Sequence, residues 1–167
     1  MKKTKMMAFT AIFAALYFVL SATLKIPIAG HMTLDLGYIA LMVAAICLGP
    51  WSALFVGAVG VFLESALISL RGVSLGWMMM NALVGYCCGW VLHRDFVDKR
   101  RFVLVALPVV LLSVFAGMTI KTLVDCLLYD LPLAAKIPVA VIGWLADSMV
   151  MLVLGLPLGI SLKGRIK

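Results

Sequence analysis

Charge is scarce in this sequence. Asp, Glu, Lys and Arg make up only 13% of its 167 residues, whereas 65% are apolar and the mean hydropathy is +1.20. Ordinary soluble domains carry about 25% charged residues. A soluble domain of this size keeps much of its surface in water, so it has no room to hide so many apolar side chains. The scarcity of charge therefore excludes a soluble globular protein and indicates one that a lipid bilayer surrounds.

Motifs of several enzyme classes are also missing. The sequence has no G-x-x-x-x-G-K-[ST] phosphate-binding loop, so the chain is not its own ATPase. Its four cysteines form no C-x-x-C pair and lie in apolar runs, which argues against thiol redox chemistry and a zinc site. His31 and His93 fall on opposite sides of the membrane in the topology proposed below, which excludes a His-based catalytic cluster. We expect neither enzymatic activity nor a bound cofactor or metal ion.

What the sequence does contain is six apolar runs, separated by turn residues or charges. A helix needs about 20 residues to cross a hydrocarbon core of about 30 Å, and the runs lack the alternation typical of a β-barrel. The sequence predicts an all-α integral membrane protein, with residues 1–167 forming one compact bundle of six transmembrane helices. The opening segment resembles a signal peptide, but its apolar run has spanning length. The predicted helices cover residues 6–24, 34–48, 51–70, 73–92, 102–128 and 137–162.

Basic residues predict the orientation of this bundle. The net charge of +7 is concentrated in three basic clusters, at residues 2–5, 94–101 and 163–167. Clusters that flank apolar runs are typical of cytoplasmic segments, so we place both termini in the cytoplasm and do not expect a nucleic-acid partner. The polar segment 25–35 then becomes the first external loop. We expect it to fold back over the outer end of the bundle, with an ordinary surface loop as the alternative.

Polar side chains lie within the predicted helices, almost all in the outer half of the bundle. A charge in a spanning helix is costly and usually faces a cavity or a partner. With almost nothing ionisable in the inner halves, the pattern predicts a pocket that opens outwards, whereas a channel needs a polar lining throughout. The candidate substrate-binding residues are His31 in the external loop and Glu64, Trp77, Asn81, Lys121, Asp125, Trp144 and Asp147 in the helices.

Several of these candidates also have a plainer interpretation. Lys121 and Asp125 are four residues apart and can neutralise each other along one helix face. Asp125 lies towards a helix C-terminus, where the helix dipole disfavours an anion, so we expect a further positive or hydrogen-donating group beside it. Trp77 and Trp144 suit either the aromatic belt at the membrane interface or a wall that stacks on a flat ring.

Small residues recur at helical spacing in helix one, at Ala8, Ala11 and Ala15, among bulky neighbours. Stripes of this kind let membrane helices approach closely. The stripe therefore indicates either internal packing or a ridge on which another membrane subunit docks.

Several motifs occur together in a chain of this length: a basic N-terminus, Ala11 and Ala15, Leu48-Gly49-Pro50 at the second hairpin, Gly57, Gly60 and Glu64, and Gly76-Trp77…Asn81…Gly85. In this combination the chain resembles the substrate-binding S components of energy-coupling factor (ECF) transporters. The resemblance covers the whole chain in organisation and about residues 34–92 in motif.

The resemblance implies a small high-affinity binding subunit of the bacterial cell membrane. Its substrate would be a water-soluble vitamin or vitamin precursor, held in the outer half of the bundle beneath the first external loop. Its partners would be a transmembrane coupling protein, which docks on the ridge of Ala8, Ala11 and Ala15, and two cytoplasmic ATPases that use the ATP. Release of the vitamin would follow toppling of the subunit in the membrane.

The charges of the candidate residues favour one substrate class. Glu64, Asp125 and Asp147 stand against Lys121 and Arg71, which suits a small ring bearing an amine, a hydroxyl or a ring nitrogen better than a polycarboxylate. Hydroxymethylpyrimidine or a pyridoxine-like compound is favoured, with pantothenate and folate close behind. Two other classes stay open: a self-sufficient carrier that couples Glu64 or Asp147 to protons or sodium, and a structural membrane subunit.

Overall fold

The chain folds into helices and one short β-hairpin, described by a computed structural model over residues 3–29, 32–68, 74–94, 99–130 and 132–166. A five-residue π-helical turn, Met151–Gly155, joins the last two helices into one rod. The elements are α1 (Lys3–Thr23), β1 (Lys25–Ala29), β2 (Met32–Asp35), α2 (Gly37–Leu48), α3 (Pro50–Leu67), α4 (Leu75–Leu92), α5 (Lys99–Tyr129), α6 (Leu133–Val150) and α7 (Leu156–Ile166).

The predicted six-helix membrane fold is confirmed, with the sixth helix comprising α6, the π-turn and α7. In the described part of the chain, α1, α3, α4, α5 and the α6–α7 rod are long and apolar enough to cross a membrane. Both α5 and α6 begin earlier than predicted, at Lys99 and Leu133. The physical reason is that Lys and Arg side chains can extend from a helix end into the polar interface, so a charge does not end a helix where the apolar run ends.

Helix α2 is short and lies at the centre of the bundle. Its 12 residues span about 18 Å at 1.5 Å per residue, less than the hydrocarbon core of about 30 Å. It starts at Gly37 and not at residue 34, because residues 34 and 35 belong to β2. Helices α1, α3, α4 and α7 all pack against it, and nearly every side chain of α2 is buried, including Leu41, Met42 and Ile46.

The ends of three helices meet at one end of the bundle. His93 Nδ1 lies 3.1 Å from the carbonyl oxygen of Ile46, at the end of α2. Lys163 Nζ on α7 donates to the carbonyl oxygens of Leu92, His93 and Arg94, at distances of 3.3, 3.1 and 2.7 Å. A cation is favourable at a helix C-terminus because it complements the helix dipole. The contact brings the middle and C-terminal basic clusters to the same end of the bundle, as the predicted topology requires.

Glycines allow α3 and α4 to pack with their backbones almost in contact. A Cβ atom on Gly57 would lie 2.5 Å from the carbonyl oxygen of Asn81, and one on Gly85 would lie 2.6 Å from that of Ala53. Close backbone approach of this kind holds membrane helices together in the absence of a hydrophobic driving force. The glycines of these two helices therefore serve internal packing.

Adding a methyl group at Gly57 tests this contact. We expect Gly57→Ala to lower the free energy of unfolding by roughly 1–3 kcal/mol, since overpacked backbone must move apart. Gly143→Ala is the matched control, because its Cβ would meet the flexible end of Met118, which can rotate away. Thermal unfolding of both variants in detergent measures the difference. Equal stability of the two variants would contradict the close α3–α4 contact.

Candidate functional site

The segment between α1 and α2 forms a β-hairpin that reaches across the bundle. Strands β1 and β2 pair antiparallel, with Lys25 opposite Asp35. Strand β2 contacts α6, so the hairpin extends from the end of α1 to α6 before the chain enters α2. Paired strands satisfy each other's backbone groups, which a segment near the hydrocarbon core requires. His31, one of the predicted site residues, lies outside the described residues.

A buried network centred on Asp35 fixes the base of this hairpin. The Asp35 carboxylate accepts hydrogen bonds from Ser21 Oγ at 2.6 Å, from the Gly37 amide at 2.8 Å and from the Tyr17 hydroxyl at 3.2 Å. The Tyr17 hydroxyl also lies 3.1 Å from Asn81 Oδ1, so its single proton is shared between two acceptors. The network joins α1, β2, α2 and α4 in the interior.

Lys121 and Asp125 form an ion pair beside Trp77. Lys121 Nζ lies 3.3 Å from Asp125 Oδ2 and 4.8 Å from the centre of the Trp77 ring. Gly76 permits this contact between α4 and α5, since a Cβ there would lie 2.8 Å from Asp125 Oδ1. The predicted pairing of Lys121 with Asp125 is thus present, and Lys121 also lies over one face of Trp77. The further donor expected beside Asp125 stays a prediction.

Asp147 and Ser148 are adjacent and buried on α6, with exposed fractions of 3% and 2%. In the described part of the chain, Asp147 Oδ2 and Ser148 Oγ are the buried side-chain oxygens without a hydrogen-bond partner. The Tyr38 hydroxyl lies beside the Asp147 carboxyl group. The Met151 amide, at the start of the π-turn, bonds to the main-chain oxygens of both residues and so fixes their backbone.

A groove of about 280 Å³ lies between α5 and α6. The Trp144 indole N–H donates to the carbonyl oxygen of Leu111 at 2.9 Å, and its ring meets Phe115 edge to face at 5.7 Å. The hydroxyls of Thr119 and Thr122 donate to carbonyls of their own helix, which leaves the walls nearly apolar. The lining comprises Phe115, Met118, Thr119, Thr122, Leu123, Leu133, Ile137, Ala140, Val141 and Trp144. Trp144 is therefore a wall of this groove.

The structure distributes the predicted site residues over several places. Asn81 joins the Asp35 network, Trp144 lines the groove, and Glu64 lies half-buried on α3, close enough to act electrostatically on Tyr17. Within the described residues, no three His, Cys, Asp or Glu side chains are arranged to hold a metal ion. Asp35, Glu64 and Asp147 are all close enough to Tyr17 to act on it electrostatically.

Sequence reasoning missed four buried residues that carry polar groups. Tyr17, Ser21, Asp35 and Tyr38 are all buried and polar. One signal was available, because Tyr17 and Ser21 are four residues apart and so share a face of α1. Asp35 gives no such signal towards α1, since its partners there, Ser21 and Tyr17, are 14 and 18 residues away.

The alanine ridge of α1 faces away from the bundle. Ala8, Ala11 and Ala15 are exposed, whereas Ala14 and Tyr17 on the other face are buried. Packing against the described residues of this chain therefore does not explain the small side chains of the ridge.

Comparison with known proteins gives the family and the fold of the chain. A family model described as "ECF-type riboflavin transporter, S component" matches residues 1–164. The chain belongs to this family. A crystal structure of FolT bound with folic acid superposes with a TM-score of 0.66 at 20% identity, over 91% of this chain and 92% of that one, which shows a common fold. The resemblance to ECF S components is thus confirmed, and the protein is a membrane-embedded subunit of a class that binds substrate and is not enzymatic.

A curated relative is similar over part of the chain. The UPF0397 protein of Onion yellows phytoplasma (strain OY-M) is 28% identical over 87 residues, which is 52% of this chain and 45% of that protein. The match thus spans less than half the length of this relative. None of these comparisons names hydroxymethylpyrimidine, a pyridoxine-like compound or pantothenate, so the preference based on charge gains no support from them.

The Asp35 network predicts that removal of the Tyr17 hydroxyl group destabilises the fold. Tyr17→Phe deprives Asp35 and Asn81 of their shared donor, and we expect the free energy of unfolding to fall by about 1–3 kcal/mol, the cost of buried polar groups left unsatisfied. Tyr129→Phe is the control, because Tyr129 is exposed at the end of α5. Thermal unfolding in detergent compares the two. A Tyr17→Phe variant as stable as the control would contradict the network.

Proposed function

We propose that the chain is the riboflavin-binding S component of an ECF transporter. It captures the vitamin in the outer half of the bundle, and partner subunits drive uptake with ATP. The observation that carries the proposal is the family match over residues 1–164, whose description names riboflavin.

The charges around the site support an uncharged ligand. Among the described side chains there, Lys121 is the cation and it is paired with Asp125. Arg71 lies outside the described residues. Riboflavin carries no charge at neutral pH, and its imide N–H and hydroxyl groups donate hydrogen bonds, which suits a region rich in acceptors. The carboxylates of this region are Asp35, Glu64, Asp125 and Asp147.

The groove between α5 and α6 supports a flat aromatic ligand. Small-molecule sites are concave and mostly apolar, with a few polar groups that fix the orientation of the ligand. Trp144, Phe115 and Met118 supply aromatic and polarisable walls for a ring. Asp147 and Ser148 supply buried polar atoms one helical turn further along α6.

Folate is the second candidate, because the structure of similar fold is that of FolT bound with folic acid. Folate carries two carboxylates on its glutamate tail, and these need cations. The described residues that line the groove include none, and Lys121 is already paired with Asp125. We therefore propose riboflavin before folate as the ligand.

The partners proposed are a transmembrane coupling protein and two cytoplasmic ATPases. The exposed ridge of Ala8, Ala11 and Ala15 supports this proposal, since small side chains allow a helix of a second membrane protein to approach closely. Release of the vitamin by toppling of the subunit belongs to the same proposal.

Binding of riboflavin to the purified chain tests the substrate. We expect riboflavin at 100 times its dissociation constant to raise the free energy of unfolding by about 2.7 kcal/mol. Folate, pyridoxine, hydroxymethylpyrimidine and pantothenate serve as comparisons in the same thermal unfolding assay. Stabilisation by one of these and not by riboflavin would contradict the proposal. Binding that requires sodium or a change of pH would favour the ion-coupled carrier.

Adding bulk to the ridge tests the partner surface. We expect Ala11→Leu to abolish copurification with the coupling protein and vitamin uptake, because the added side chain holds the helices apart, while riboflavin binding by the isolated chain stays unchanged. Ala116→Leu, which adds the same bulk at an exposed position of α5, is the control. Uptake and copurification that survive Ala11→Leu would show that the partner docks elsewhere.

A further inference from the structure

We infer that Asp147 and Ser148 hold the hydroxyl groups of the ribityl chain of bound riboflavin and thereby select flavins that carry this chain. The inference rests on the proposed function.

Two adjacent buried oxygens without partners call for a ligand. Asp147 Oδ2 and Ser148 Oγ are almost wholly excluded from solvent and make no hydrogen bond with the described residues. Buried polar atoms are nearly always hydrogen-bonded, because an unsatisfied one loses its interactions with water and gains nothing in return. Hydroxyl groups of a bound ligand would satisfy both atoms.

The position of the pair fits the polar end of a ligand whose ring occupies the groove between α5 and α6. Ala140 and Trp144 line the groove, and Asp147 and Ser148 follow Trp144 by three and four residues. Residues at this spacing share one face of a helix. The pair therefore lies beyond the inner end of the groove, where a substituent of the ring would extend.

The chemistry of the pair favours the ribityl chain over the ring of riboflavin. An acidic side chain binds the hydroxyl groups of ribose in dinucleotide sites, and a serine hydroxyl both donates and accepts. The imide N–H of the flavin ring is flanked by two carbonyl oxygens, which repel a carboxylate. The ribityl chain presents only hydroxyls, and the Tyr38 hydroxyl beside Asp147 adds a third group able to bind them.

A comparison of riboflavin with lumiflavin distinguishes binding of the ribityl chain from binding of the flavin ring. Lumiflavin has the same ring with a methyl group in place of the ribityl chain, and we expect the wild-type chain to bind riboflavin more tightly. Asp147→Asn should weaken riboflavin binding by about 10- to 100-fold, because a hydrogen bond to a charged acceptor is lost or weakened. Ser148→Ala should weaken it by about 2- to 10-fold. Lumiflavin binding should stay unchanged in both variants, which also shows that they are folded.

The fluorescence of the flavin measures both affinities, and two control variants complete the experiment. Asp130→Asn and Ser161→Ala remove the same groups at exposed positions and should leave both affinities unchanged. Equal wild-type affinity for the two flavins, or an unchanged preference in Asp147→Asn, would overturn the inference while the riboflavin proposal stands. If Asp147→Asn binds neither flavin, Ser148→Ala provides the test. Weaker binding of riboflavin alone in that variant supports the inference, and an unchanged preference overturns it. Failure of the wild-type chain to bind either flavin would overturn the proposed function and this inference together.

Discussion

The burial of α2 at the centre of the bundle is the constraint on which the rest of the structure depends. Helix α2 has only 12 residues and is enclosed by its neighbours, and Asp35, which leads into it, is buried as well. Backbone at that depth needs internal hydrogen bonds. The antiparallel hairpin supplies them between its strands, and Asp35 ties the last residue of β2 to α1 and to the start of α2.

The polar groups of the interior differ in how they are satisfied. Asp35 has three donors, and Asp125 has the ammonium group of Lys121, so both carboxylates have partners within the protein. Asp147 and Ser148 retain oxygens without partners in the described structure. Asp35 and Asp125 therefore connect parts of the fold, whereas Asp147 and Ser148 have oxygens that can still bind a ligand. Residue types alone do not reveal this difference.

The sequence predicted the features that depend on local patterns. Six helices and their membrane location follow from apolar runs, and the S-component resemblance follows from short motifs such as Leu48-Gly49-Pro50. The strand pairing within segment 25–35 was not predicted. The bonds of Tyr17 and Ser21 to Asp35 were missed because they join residues that are 18 and 14 positions apart. The early starts of α5 and α6 were missed because basic residues continue a helix beyond the hydrocarbon core. Whether Trp144 belonged to a belt or to a wall depended on a contact with Leu111, 33 residues away.

Helix α1 has two faces with different tasks. One face carries Tyr17 and Ser21, which hold Asp35 at the base of the hairpin, and the other presents Ala8, Ala11 and Ala15 away from the bundle. In the proposed function, a coupling protein that docks on the alanine ridge contacts the same helix that anchors the hairpin. A tilt that this partner imposes on α1 would then also displace the hairpin.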